Sequence, residues 1–308
     1  RNEFPNIIHT VHSIISDLET FLTPAEFEII ICANCIDDWY NIEKDRRGSH
    51  GTVDYLMATS AYWNRVVRVL YDPIAGNHST RNKGALIARG KYLFFSDAHM
   101  SYKVGYHQRM IRAIEETGGI VHGAINWMGA YPAGSSVGYQ YTIKLGEEIK
   151  GTWNNYLLTD DYFYIPLQGH CCLGVKRDQF IKFDGYPKYH RCYGGGEFYL
   201  DMKWWMMGST VAVDPQAIAY HLRSSRGYNY THDDYIHNVL GIGMALSMDG
   251  WVERAYLNWL RTGNWETMKR LWDEAKKETE EDRKFIASKS VKTFNDLIEE
   301  KDAKEKSR

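Results

Sequence analysis

No run of apolar residues approaches the roughly 18 that a membrane-spanning helix requires, so the sequence predicts no membrane segment. Neither sign of charge is in clear excess, because 37 Lys and Arg residues against 39 Asp and Glu residues leave a formal net charge of −2. That balance argues against a domain dominated by binding to the phosphate backbone of nucleic acid, although it leaves room for a local basic groove.

Cysteine is also scarce, with five residues, an odd number, at positions 32, 35, 171, 172 and 192. This is a poor framework for disulfides and fits a reducing compartment, so we expect a cytoplasmic protein. Cys32 and Cys35 have the spacing of a zinc knuckle, but no second pair with that spacing exists. The 308 residues, 44% of them hydrophobic, suit one domain of about 200 residues or more with an appendage.

The stretch Ser79–Met100, STRNKGALIARGKYLFFSDAHM, has the most informative pattern in the chain. Residues 81–84 predict a polar turn, and Ala85–Ala88 predict a short helix that ends at Gly90. Tyr92–Phe95 is a continuous apolar run of strand length, which indicates a strand buried on both faces.

Asp97 and His99 follow this strand directly. A buried strand of an open α/β sheet delivers such residues to its carboxyl edge, where ligands bind. Residues two apart in an extended segment face the same way, so this carboxylate and this imidazole could share one metal ion. Taken alone, an Asp-x-His triplet is more often a solvated aspartate beside a surface histidine.

The same stretch resembles the region before the metal-binding Asp-x-Asp or Asp-x-His motif of GT-A fold glycosyltransferases. Within that fold it looks most like the polypeptide N-acetylgalactosaminyltransferases and related family 2 enzymes, in which an R-x-x-G-A…A-R-G helix leads into a strand ending Asp-Ala-His. The resemblance implies an α/β, Rossmann-like GT-A fold: a mixed, mostly parallel sheet flanked by helices, with a C-terminal helical extension. It implies a catalytic domain over residues 1–225, and a flap loop with helices over residues 226–308.

The amino-terminal residues fit that fold. Residues 1–22 have the apolar spacing of an amphipathic helix, and Phe27–Cys32 reads as a buried strand. By the resemblance, the first strand of the nucleotide half should precede Arg1. The family usually has Asp-Asp after the second strand, one of which binds uracil; Ala33 and Asn34 stand here, and the Asn34 amide can still pair with a pyrimidine edge.

A second resemblance covers Gly169–Arg223, which is similar to the G-G-x-x-x-I-x-K-x-x-F, W-G-G-E-N and G-H-x-F-R elements of the same enzymes, in the same order. It implies that His221 is the third protein ligand of a divalent cation, after Asp97 and His99. This sequence departs from the pattern at Tyr193, where the family has Trp, and in the arginine after the histidine, which comes one position earlier.

The resemblance therefore implies a UDP-sugar donor and a bound Mn²⁺ (or Mg²⁺), which would stabilise the departing phosphates. Glu197 would lie beside the donor sugar, either orienting it with retention, which the resemblance favours, or deprotonating the acceptor. Asp201 is a weaker candidate for the base. Other donor contacts are expected from Arg81, Arg223 and Arg226 at the phosphates, Asn34 and Arg81 near the base, Ala98 near the ribose, and from Gly195, Gly196 and Tyr228.

Several alternatives remain open. Residues 224–235 predict a flap over the nucleotide or an ordinary loop, and residues 273–308 predict a solvated helical tail. The acceptor could be a protein, a glycan or a hydroxylated DNA base. A nucleotidyltransferase would also hold a cation with carboxylates at strand ends but would release pyrophosphate. A non-catalytic sugar-binding protein on the same fold is the third class.

Overall fold

The computed structural model describes most of the chain, in ranges separated by gaps: residues 6–34, 58, 60–72, 76–128, 135–143, 149–155, 162–165, 168–222, 230–261, 263–297 and 299. Within these ranges, no helix combines the length and the apolar character that crossing a membrane would need.

Strands and helices are interspersed through the first two thirds of the described chain, and only helices follow. The strands are β1 (Ile29–Asn34), β2 (Val67–Asp72), β3 (Tyr92–Ser96), β4 (Met100–Tyr102), β5 (Ile120–Met128), β6 (Ser135–Ile143), β7 (Ile149–Asn155), β8 (Phe163–Tyr164), β9 (Cys172–Lys176) and β10 (Val211–Leu222). The helices are α1 (Asn6–Leu18), α2 (Trp63–Val66), α3 (Asn77–Ile87), α4 (Tyr106–Thr117), α5 (Arg177–Lys182), α6 (Gly196–Met206), α7 (His232–Ala245), α8 (Asp249–Leu260), α9 (Trp265–Glu278) and α10 (Glu280–Lys289).

The strands form two sheets, and the expected mixed α/β class is confirmed. Strands β1 and β2 pair in parallel in the smaller sheet. The larger sheet has the order β3-β9-β5-β10-β4, with β6, β7 and β8 attached beside it. Strands β3, β5 and β10 run in one direction, because β3 and β5 are both antiparallel to β9 and β5 is parallel to β10. Strands β4, β8 and β9 run the opposite way.

The amphipathic helix expected in residues 1–22 is confirmed as α1, and hydrogen bonds attach it to the larger sheet. Val11 and Ile15 lie on its buried side. The Thr10 hydroxyl donates to the Met100 carbonyl at 3.0 Å and accepts from the Met100 N–H at 2.9 Å. Because Met100 begins β4 and follows His99, this pair of hydrogen bonds fixes the first half of α1 beside the start of β4, next to His99.

The expected polar turn at residues 81–84 is wrong, because these residues lie inside α3. Tertiary contacts outweigh the weak helix propensity of Asn82 and Gly84. The buried Asp72 at the end of β2 accepts from Thr80 at 3.2 Å and from Lys83 at 2.8 Å. Gly84 permits the close approach of α3 to β1, since a Cβ there would lie 2.8 Å from the Cys32 sulfur. The helix ends at Ile87, shortly before Gly90, as the sequence indicates.

The segment after residue 273 is helical as expected, since α9 and α10 extend to Glu278 and Lys289, but its described portion is not wholly solvated, because several of its apolar side chains join the core. Ile286, Phe294 and Leu297 are buried in one cluster with Met202 and Met206 of α6. The few apolar residues of this charged segment are thus the ones that anchor it.

Helix α7 begins earlier than the sequence indicates, and it shortens the segment expected to form a flap. Thr231 caps its first turn, so residues 232–235 are helical. The expected domain boundary between residues 225 and 226 falls outside the described residues and stays a prediction.

Candidate active site

Three side chains of the expected metal site come together at the carboxyl ends of β3 and β10 in the larger sheet. Asp97 follows β3, His99 lies in the turn between β3 and β4, and His221 lies near the end of β10. Antiparallel pairing of β10 with β4 sets His221 opposite Met100, the neighbour of His99. As a result, the ligand atoms of Asp97, His99 and His221 all lie within 4.8 Å of one another.

These three residues fit a divalent cation. Donor atoms that share one ion through bonds of about 2.0–2.3 Å are separated by at most about 4.6 Å, so the spacing of the triad requires little adjustment. The His99 and His221 rings are perpendicular, with centroids 4.7 Å apart. One carboxylate oxygen with two imidazole nitrogens is a donor set that suits Mn²⁺.

The Asp97 carboxylate is held between two nitrogen donors. One oxygen accepts from the Arg81 guanidinium at 3.0 Å, and the other lies 3.5 Å from Nε2 of His221. Burial by itself would raise the pKa of Asp97, but the hydrogen bond from His221 and the charges of Arg81 and His99 outweigh it and lower the pKa. The carboxylate is therefore ionised and ready to bind a cation.

Arg81 reaches this carboxylate from α3, and its side chain is only 12% exposed. Its second guanidinium nitrogen donates to the Tyr186 hydroxyl at 3.3 Å. Burial by itself would lower the pKa of Arg81, but Tyr186, Asp97 and Glu197 outweigh it and raise the pKa. Glu197, in the first turn of α6, is thus one of the charges that stabilise the Arg81 guanidinium.

Tyr186 is a site residue that sequence reasoning missed, although it lies inside the second family resemblance. It is fully buried, and its backbone N–H and C=O both bond to the Asn82 amide group, at 2.9 Å and 2.8 Å. Gly185 turns the chain just before it, with a φ of +44° that favours glycine. The Gly185-Tyr186 pair was the available signal, but no local pattern indicates that its hydroxyl meets Arg81.

The two glycines expected near the donor are packed against their own chain. Gly195 precedes α6 with a φ of +71°, and Gly196 begins that helix. A Cβ on Gly196 would lie 2.2 Å from the ring of His78, so the absence of a side chain is required for packing. Their contact with a donor stays a prediction.

Asn34 and Ala98 both lie near the carboxyl ends of strands. Asn34 is the last residue of β1, is half-buried, and is paired in register with Asp72 of β2. Ala98 is half-buried in the turn between Asp97 and His99. The remaining expected donor contacts, Arg223, Arg226 and Tyr228, lie outside the described residues.

Asp201 lies in the core, contrary to the expectation of a base. It is fully buried, one carboxylate oxygen accepts from the Gln168 N–H at 2.8 Å, and the other lies within hydrogen-bonding distance of His170 and His122. A carboxylate enclosed in this way cannot reach an acceptor hydroxyl.

Comparison with solved structures identifies the fold. The chain is similar to the crystal structure of GalNAc-T7 with UDP, GalNAc and Mn²⁺, with a TM-score of 0.69 and 16% identity over 96% of this chain and 54% of that chain. The fold is therefore that of the GT-A glycosyltransferases, and this chain spans about half the length of GalNAc-T7. A lesser similarity is to S. aureus TarS 1-349 in complex with UDP-GlcNAc, with a TM-score of 0.48 and 11% identity over 92% and 87% of the two chains.

The sequence comparison completes the identification. The family model described as Glycosyl transferase family 2 matches residues 1–177, more than half of the chain. The chain thus belongs to glycosyl transferase family 2, and the resemblance drawn from its motifs is confirmed. Among curated protein sequences, none matches it.

Proposed function

We propose that this glycosyltransferase is metal-dependent and transfers a sugar from a UDP-sugar to an acceptor hydroxyl with retention. The observation that carries the proposal is the convergence of Asp97, His99 and His221, whose ligand atoms lie within 4.8 Å of one another. Support for the donor comes from GalNAc-T7, which shares the fold and is described with UDP and Mn²⁺.

Asp97, His99 and His221 would hold the cation, Mn²⁺ or Mg²⁺. When bound, it supplies positive charge that offsets the negative charge building on the departing diphosphate. Arg81 adds a second fixed positive charge beside Asp97, at 3.0 Å. Because it is held from two sides in a largely buried position, Arg81 needs little reorganisation to meet that charge.

With retention, Glu197 orients the donor sugar. The bond between the anomeric carbon and the phosphate oxygen breaks, and the bond from the acceptor oxygen forms on the same face of the sugar. The acceptor proton passes to the departing phosphate oxygen. Glu197 suits an orienting role because it begins a well-packed helix and acts electrostatically on Arg81.

The other donor contacts are proposed by position. Asn34, at the end of β1, would meet the base, the backbone at Ala98 the ribose, and Gly195 and Gly196 the sugar. Arg223 and Arg226 would contact the phosphates, with Tyr228 in a covering loop. The acceptor is a protein, a glycan or a hydroxylated DNA base, and the net charge of −2 weighs mildly against DNA.

Two further expectations stay proposals. The catalytic domain would comprise residues 1–225, with the helices after residue 226 as its extension. A cytoplasmic location would agree with the cysteines, since Cys32, Cys171 and Cys172 are free thiols.

The test is a product analysis with UDP-GalNAc, UDP-GlcNAc and UDP-glucose in Mn²⁺. We expect slow release of UDP and free sugar even without an acceptor, and loss of release in Asp97→Asn. Release of sugar 1-phosphate instead of UDP would indicate transfer of the uridylyl group and hence a nucleotidyltransferase, and binding without turnover would indicate a sugar-binding protein. The anomer formed, read by proton NMR before mutarotation, tests retention.

A further inference from the structure

We propose that a buried chain of hydrogen bonds, running from Asp201 through His170 and Tyr186, positions the Arg81 guanidinium against Asp97. Asp201 is thereby a positioning residue. The proposal rests on the proposed function only in what Arg81 does for a nucleotide, since the chain of contacts itself belongs to the fold.

The contacts are continuous from the candidate active site into the core. Arg81 donates to the Tyr186 hydroxyl at 3.3 Å, and the same hydroxyl lies 2.9 Å from Nδ1 of His170. Nε2 of His170 lies 3.0 Å from an Asp201 carboxylate oxygen. Tyr186, His170 and Asp201 are each at most 2% exposed, so water does not compete for these contacts.

The direction of each hydrogen bond follows from its neighbours. Burial by itself would raise the pKa of Asp201, but the contacts of its carboxylate with His170 and His122 outweigh it and lower the pKa to about 2. An ionised carboxylate only accepts, so Nε2–H of His170 donates to it. In a neutral His170, Nδ1 is then left to accept from the Tyr186 hydroxyl, and the oxygen lone pair of Tyr186 faces the Arg81 donor.

Tyr186 has little freedom to satisfy Arg81 in any other way. Its ring stacks on His78, with centroids 4.9 Å apart, and its backbone is bonded on both sides to Asn82. With the ring fixed, the direction of the O–H bond is the remaining variable, and His170 sets it. Because Asp201 sets the tautomer of His170, the carboxylate determines how the Tyr186 hydroxyl is oriented toward Arg81.

The structure offers an internal control in His122. Its Nε2 lies 3.3 Å from the same Asp201 oxygen, and it is as completely buried as His170. It stands on β5, and its contact with Asp201 is a separate branch from the one that reaches Tyr186. Loss of His122 should therefore disturb the core around Asp201 without releasing Arg81.

A metal ion at His122, His170 and Asp201 is the competing account, since their ligand atoms also lie within 4.8 Å of one another. Metal binding would require unprotonated Nε2 atoms on both histidines, and the Asp201 oxygen would lose both of its donors. The hydrogen-bond account leaves both carboxylate oxygens satisfied, because the other one accepts from Gln168. The geometry therefore favours hydrogen bonds.

The experiment compares wild type with Tyr186→Phe, His170→Gln and the control His122→Gln by ¹⁵N NMR of arginine side chains. Arg81→Lys assigns the Arg81 signals. In wild type, restricted rotation should keep the two terminal nitrogens of Arg81 distinct. We expect those signals to merge in Tyr186→Phe and in His170→Gln, and to stay distinct in His122→Gln. If His170→Gln fails to fold, Tyr186→Phe still decides, because it removes one hydroxyl and keeps the ring.

UDP affinity in Mn²⁺, measured by calorimetry, separates this inference from the proposed function. We expect about a tenfold loss in Tyr186→Phe, the size typical of one hydrogen bond to a charged group, and no loss in His122→Gln. Unchanged Arg81 signals in Tyr186→Phe, or one equivalent of metal in the purified protein that disappears in His122→Gln, would overturn the inference. If the Arg81 signals merge in Tyr186→Phe and His170→Gln but the wild-type protein does not bind UDP, the positioning role of the buried contacts is upheld and the proposed function is overturned.

Discussion

The buried Asp17 carboxylate joins two helices, and its replacement by asparagine gives a prediction that can be worked through. One oxygen accepts from the Gly105 N–H; the other accepts from the His107 N–H at 2.8 Å and lies 2.7 Å from the His107 ring nitrogen Nδ1. Asp17 is 1% exposed. The carboxylate of α1 thus satisfies the otherwise open N-terminus of α4, and α1 in turn begins beside His99.

In Asp17→Asn, one carboxylate oxygen becomes an amide NH₂ group that faces a donor. At least one buried N–H then lacks an acceptor, and a second contact loses its charge. At about 1–3 kcal/mol for each buried group left without a partner, the free energy of unfolding at pH 7 should fall by about 2–4 kcal/mol.

The pH dependence follows from the pKa of Asp17. Burial by itself would raise that pKa, but the hydrogen bonds from His107 and Gly105 outweigh it, so the pKa lies below its ordinary value of 3.8. A lowered carboxyl pKa contributes stability that is present above the unfolded pKa and is lost as pH falls through the folded value. The difference between wild type and Asp17→Asn should therefore be full at pH 7 and shrink below about pH 4.

Urea unfolding followed by tryptophan fluorescence, from pH 7 down to about pH 3, measures both effects. Asp178→Asn is the control, because Asp178 also lies in the first turn of a helix but its side chain is 99% exposed. It should change stability by less than about 0.5 kcal/mol. An Asp17→Asn loss as small as the control, or one that stays constant at low pH, would refute the reasoning.

Three further substitutions probe the site. Arg81→Lys should weaken UDP binding by calorimetry about tenfold or more, since one ammonium cannot serve both partners of the guanidinium, while Arg89→Lys, whose side chain is 77% exposed, should not. Glu197→Gln should slow UDP release about 100-fold or more in a steady-state assay, with UDP affinity largely retained. Gly196→Ala should lower stability to urea by about 1–3 kcal/mol because its Cβ would meet a buried histidine ring at 2.2 Å, whereas Gly250→Ala, with its nearest neighbour at 3.5 Å, should be tolerated.

The sequence predicted the elements whose patterns are local. The run of apolar residues before Asp97 and His99 was sufficient to predict β3 and to place both residues just after its carboxyl end. Adding His221 required the order of the motifs in the family, because no local periodicity connects β3 to β10. The structure brings all three together.

The errors have a common physical cause, which is contact between residues that are far apart in the chain. Asn82 and Gly84 are weak helix formers, and residues 81–84 are held in a helix by contacts with β2 and β1. Asp201 resembles an ordinary helix-surface acid, yet its partners His170 and His122 are 31 and 79 residues away. The apolar residues of the carboxyl-terminal segment are too sparse to show a helical stripe, and they are nevertheless buried.

The most direct test of the central claim is calorimetric titration of UDP into the protein with and without Mn²⁺, in wild type, His221→Ala and the exposed control His12→Ala. If Asp97, His99 and His221 form the cation site of a UDP-dependent transferase, binding should require Mn²⁺, disappear in His221→Ala and persist in His12→Ala. Equal UDP binding in the absence of Mn²⁺ or in His221→Ala would contradict the account.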